Sequence, residues 1–169
     1  MNGAGNAFIV IDARDADKPL RLDKKALERL HARFGFDQVI GLEDHGVADA
    51  LLRVWNADGG EVGACGNGTR AVAWLLFEEG AGSRLSFASS GGVLGARRLA
   101  DGAAEVDLGP ARLDWQQIPL ARAMDTVKLD FGIDLPGGGR LEGPGAVSMG
   151  NPHVVFFVDD VEALPIREI

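Results

Sequence analysis

The stretch EVGACGNGTRAVAWLL, residues 61–76, holds the chain's one cysteine, Cys65, between glycines and an asparagine at the mouth of an apolar run. A thiol acts as base or nucleophile only as its thiolate, and its ordinary pKa is about 8.5. Helix N-termini favour that anion, because their backbone N–H groups are unpaired and the helix dipole is positive there. Gly66, Asn67 and Gly68 follow directly. Glycines at that point let N–H groups approach a ligand closely, so the same donors suit a substrate carboxylate. The pattern offers a poised thiolate beside an anion cradle. A small buried hydrophobe, the commonest role of a free cysteine, fits the same letters.

Three further stretches place a neutral amide beside a strand or turn: Asn6 in GAGNAF, Gln38 in FDQVIG and Asn56 in WNADGG. SMGNPHVVFF adds Asn151, followed by Pro152 and His153. Neutral amides can hold the ammonium and carboxylate of an amino acid without adding net charge. Each also has an ordinary reading, since Asn at a glycine turn is common turn chemistry. Gln38 fits a solvated strand position, and His153 a structural histidine. Residues 89–92, Ser-Ser-Gly-Gly, could cradle an anion with backbone N–H groups or simply turn a hairpin.

The elements that must position these groups are legible. FIVIDAR, residues 8–14, is a short run rich in β-branched residues and predicts a buried strand. From Leu22 to Phe34 the residues Leu22, Ala26, Leu27, Leu30 and Phe34 share a helical face, with Asp23 as N-cap and Gly35 as stop. DQVIGLED and ADALLRVWNADGG predict a hairpin, the second strand closing on Asp58-Gly59. After Cys65 the run to Glu78 predicts a helix ended by Gly80, carrying so little charge that burial on nearly every side is expected. Short apolar segments with Gly turns then predict a meander. The sum is an α+β lobe, many short and mostly antiparallel strands wrapped around a central helix.

Composition narrows the function classes. The chain has 169 residues, 46% hydrophobic and 25% charged, with 24 glycines and a formal charge of -8. That acidic balance, with no basic patch, argues against a nucleic-acid surface. One cysteine and three unlinked histidines give a metal site little support. No run approaches a membrane span and no signal-peptide pattern opens the chain, so a reduced cytoplasm is the expected compartment.

Taken in order, GAGN, FDQ, NADG, CGNGTR and GNPH resemble the N-terminal half of diaminopimelate epimerase. The resemblance runs from Gly3 to His153. It implies a cofactor-independent isomerase of the lysine and cell-wall pathway that inverts the α-carbon of LL-diaminopimelate to the meso form, with two cysteines on opposite faces exchanging the α-proton. On this chain it assigns Cys65 as one acid/base. Asn6, Asn56 and Asn151 become substrate ligands, Gly66 and Asn67 carboxylate contacts, and Gln38 a further ligand. It also implies that residues 1–169 form a single N-terminal lobe whose partner lobe, bearing the second cysteine, is missing, so that the chain alone would be inactive. Pairing of two copies is an alternative, as are a non-catalytic binding lobe and a related-fold isomerase that does not use Cys65. The chain departs from the family pattern in beginning almost on its first motif, which predicts a missing edge strand. It departs again at Gly63 and Ala64, where bulkier residues are usual.

Overall fold

The computed structural model describes residues 1–63, 65–166 and 168. The chain gathers into two units, Met1–Gly109 and Pro110–Ile169, and each is described by itself.

The first unit carries β1 (Asn2–Gly3), β2 (Asn6–Ala13), α1 (Lys24–Phe34), β3 (Gln38–Glu43), β4 (Ala50–Asn56), β5 (Glu61–Val62), α2 (Gly66–Glu78), β6 (Arg84–Ser89), β7 (Gly92–Arg98) and β8 (Ala104–Asp107). Its eight strands form one sheet in the order β1-β2-β3-β4-β6-β7-β8, with β5 paired to β4. Pairing is antiparallel except for β2–β3 and β4–β6. Parallel neighbours need a crossover, and the two helices supply one each. The short β1 pairs Asn2 with Ala7 and Gly3 with Asn6 at the start of the sheet.

The side-chain period of two divides the core between the helices. Leu27, Phe36, Val39 and Trp55 pack together under α1, with Ile9 and Ile11 of β2 against them. The alternate residues Phe8, Ile40, Leu42, Leu52 and Val54 pack with Val72, Leu76 and Phe77 of α2. Helix α2 touches β1 and β2 at one end of the strand order and β7 and β8 at the other. The sheet therefore curls around α2, as the sequence predicts. Burial of that helix is less complete than expected: Arg70, Trp74 and Glu78, spaced i, i+4, i+8, are exposed, Trp74 to 45%. A charge-poor sequence sets how much surface a helix can bury, and the gap in its wrapping leaves this stripe uncovered.

Helix α1 has the caps read from the sequence. The Asp23 side chain accepts a hydrogen bond from the Ala26 N–H at 2.7 Å. Gly35 sits in the left-handed region at φ 57° and donates to the His31 carbonyl.

The second unit contains β9 (Gly132–Asp134) with β10 (Arg140–Glu142), and β11 (Gly145–Ser148) with β12 (Pro152–Val155), each an antiparallel pair. Its core is small, formed by Ile118, Leu129 and Ala146. Among the described residues no helix is long and apolar enough to cross a membrane.

Candidate active site

Cys65 is the N-cap of α2, in extended conformation, and its sulfur accepts a hydrogen bond from the Gly68 N–H at 3.3 Å. The thiol is half-buried. Burial pushes its pKa up, and the Gly68 and Asn67 N–H groups pull it partly back. The sequence expectation of a lowered thiol pKa is thereby corrected. The helix terminus and its donors are present, but in a neutral, half-buried setting desolvation of the anion outweighs two N–H groups.

Close packing explains the glycines around the sulfur. A Cβ on Gly68 would stand 2.6 Å from Ile40 Cδ1 and 3.2 Å from the Cys65 sulfur. Ile40 is fully buried, so that atom has little room to retreat. A Cβ on Gly66 would meet Leu108 at 3.2 Å. Ile40, the Cys65 sulfur and Leu108 thus pack directly on the backbone of the first turn.

The amides singled out from the sequence come together as two pairs. Asn67 Nδ2 donates to Asn6 Oδ1 at 3.0 Å, joining the first turn of α2 to the start of β2. Gln38 Nε2 donates to Asn56 Oδ1 at 2.9 Å, across the antiparallel register that sets these residues opposite each other. Gln38 is also the register partner of Phe8, two residues after Asn6. Both pairs therefore lie at one end of the sheet, the end where β4 passes through β5 to Cys65. Each amide uses one of its hydrogen-bonding atoms on its partner, of the several that an amide side chain carries.

Asn151 belongs to the second unit. Its carbonyl accepts from the Met149 N–H at 3.1 Å and lies 3.0 Å from Nδ1 of the exposed His153. Residues 89–92 form the β6–β7 hairpin turn, closed by Ser89 Oγ donating to the Gly92 carbonyl. Ala64 lies outside the described residues.

One ion pair on β4 and β5 escaped the sequence reading. Arg53 on β4 forks onto Glu61 of β5 through Nε at 3.0 Å and Nη2 at 2.8 Å. Its Nη1 donates to the Leu20 carbonyl and lies 3.6 Å from the buried carboxylate of Glu43. The guanidinium also stacks over Trp55. Alternation of Arg53 with apolar Leu52 and Val54 was the available signal that it faces away from the α2 core, toward the α1 side.

Solved structures place this architecture in a known class. A predicted epimerase from Pseudomonas aeruginosa matches with TM-score 0.59 and 19% identity, covering 94% of this chain and 55% of that one. A hydroxyproline epimerase from Agrobacterium vitis matches with TM-score 0.54 and 16% identity, covering 79% and 40%. At these identities the likeness shows the fold alone, an α+β architecture shared with these proteins.

The sequence comparisons go further. The family model for diaminopimelate epimerase matches residues 1–113. A diaminopimelate epimerase of Erythrobacter litoralis is 50% identical over 168 residues, covering 98% of this chain and 58% of that protein. One from Phenylobacterium zucineum is 44% identical over 173 residues, covering 99% and 61%. The chain belongs to the diaminopimelate epimerase family, and it spans about three fifths of the length of these relatives.

Proposed function

We propose that residues 1–169 supply the N-terminal lobe of a cofactor-independent epimerase acting on LL-diaminopimelate, with Cys65 as one of two acid/base groups. The observation that carries this is the placement of the thiol: it caps α2 at the sheet end that also gathers Asn6, Gln38, Asn56 and Asn67. An α-proton is removable only if the charge left behind has somewhere to go. The carboxylate that receives it would be met by the positive end of the α2 dipole and by N–H groups of its first turn. The amides would hold the rest of the amino-acid head; for Asn151, on the second unit, a ligand role rests on the family resemblance of its GNPH segment alone.

Inversion needs a second group on the opposite face, because one base returns the proton to the side it left. Cys65 is the chain's one cysteine. The second thiol is assigned to a partner lobe, with pairing of two copies as the other source. A thiol pushed up by burial is mostly protonated near neutral pH, which suits the group that delivers a proton. To serve as the base, the same thiol would need a nearby cation, such as the substrate's ammonium, to draw its pKa down.

The test is α-proton exchange: the chain in deuterated buffer with LL-diaminopimelate, followed by mass and stereochemistry beside Cys65→Ser. Deuterium entering with retention, and lost in the variant, is expected if the half-site works by itself. Deuterium entering with inversion would assign the second acid/base to a paired copy. Exchange that persists in Cys65→Ser would overturn the role given to the thiol.

A further inference from the structure

The tip of the β6–β7 hairpin lies against the strand that leads to Cys65. The Gly91 N–H donates to the Gly63 carbonyl at 2.9 Å. The two backbones come so near that a Cβ on Gly91 would stand 2.6 Å from the Gly63 oxygen, 2.9 Å from its carbonyl carbon and 3.4 Å from its Cα. These are main-chain atoms, without a flexible end to swing aside. Gly91 is not in the left-handed region, so the close approach, rather than the local conformation, calls for glycine here.

The strand is held on its other side as well. Glu61 faces Trp55 in the β4–β5 register and takes the Arg53 fork. Residues 61 and 63 are thus pinned from two directions, and Cys65 follows two residues later. The hairpin tip that does the second pinning is itself closed by the bond from Ser89 Oγ to the Gly92 carbonyl, 2.8 Å long.

We propose that Gly91 is a positioning residue for Cys65: by docking on Gly63 it fixes where the sulfur stands relative to the Gly68 N–H. What that position serves rests on the reading of Cys65 as an acid/base, but the position itself can be measured without any substrate.

The experiment is the pH dependence of alkylation by iodoacetamide, which reads the thiolate of the chain's single cysteine. Folding is checked in parallel by circular dichroism. Gly91→Ala puts a methyl where Gly63 now stands. It should shift the loop, weaken the Gly68 contact, and lower the alkylation rate at neutral pH several-fold as the thiolate fraction falls. The midpoint should move to higher pH. Gly95→Ala on β7 is the control, since its Cβ would meet only Asp107 Cβ at an ordinary 3.8 Å. It should leave both rate and midpoint as in the parent.

A folded Gly91→Ala with the parent's rate and midpoint would overturn the proposal, as would an equal effect from Gly95→Ala. If Gly91→Ala does not fold, Ser89→Ala decides. That variant adds no bulk and only loosens the tip, and it should shift the midpoint the same way by less; no shift overturns the proposal. The acid/base reading fails separately, through α-proton exchange that survives loss of Cys65.

Discussion

Helices α1 and α2 begin in opposite ways. Helix α1 starts on an aspartate whose oxygen takes the Ala26 N–H at 2.7 Å. Helix α2 starts on a sulfur that takes the Gly68 N–H at 3.3 Å, followed by Gly-Asn-Gly, three residues of poor helix propensity. The first cap is built for stability and the second sacrifices it. What holds α2 is the burial of Val72, Ala73, Leu76 and Phe77 rather than its own first turn. Because the core holds the helix, its first turn can carry a sulfur, with the Gly68 N–H on it, where α1 carries a carboxylate.

The strongest way to break the contrast is Cys65→Ser. Serine caps a helix well, so the variant should melt at or slightly above the parent temperature. Any α-proton exchange should fall by about 10²–10⁴-fold, the usual span for removing an acid/base group. Loss of stability together with loss of exchange would make Cys65 a packing residue after all.

Gly68→Ala comes next. Alanine improves helix propensity by about 1 kcal/mol, but its methyl must displace either Ile40 or the sulfur. Alkylation at neutral pH should slow several-fold as the thiolate fraction falls. An unchanged rate would mean that the N–H to sulfur contact does not tune the thiol.

Asp23→Ala tests the other side of the comparison. It should cost about 1 kcal/mol in chemical denaturation and leave the Cys65 alkylation profile untouched. A change in that profile would show that the two helix starts are coupled through the sheet.

The smallest effect concerns pH. Since the folded thiol pKa is raised by burial, the native state keeps a proton that the unfolded state loses first. The associated stability is fully present below the ordinary thiol range, near 8.5, and is lost as pH rises through the folded value. Cys65→Ser should flatten that alkaline decline in stability. A parent whose decline matches the variant's would remove burial as the dominant cause.

Local signals carried much of this molecule. The caps of α1, the β3–β4 hairpin ending at Asp58-Gly59, and a helix opening after Cys65 all follow from short-range chemistry, and all are present. The four amides that pair at one end of the sheet were legible as types. Their partners were not: Asn67 meets Asn6 across 61 positions, and Gln38 meets Asn56 across 18. Such pairings depend on register and on the curl of the sheet, which no short window of sequence encodes. The thiol's pKa was misread for a related reason. Its donors are local, but the burial that outweighs them comes from packing contributed by distant strands. Trp74 shows the same gap, since periodicity marks an apolar helix face without saying whether anything covers it.

Between β4 and β6 the sheet is joined by two register pairs, Ala50 with Phe87 and Leu51 with Ala88, whereas β3–β4 and β6–β7 each run for six. Beside that joint the Asp49 carboxylate takes the Ser86 N–H and hydroxyl. Local opening starts where few contacts hold a structure together, and a two-pair joint is such a place. An opening there would part a block holding the amides and the strand to Cys65 from a block holding Gly91. The reactivity of one sulfur would then report a sub-global fluctuation, and the slowest event governing the thiol would be the parting of two halves of a sheet.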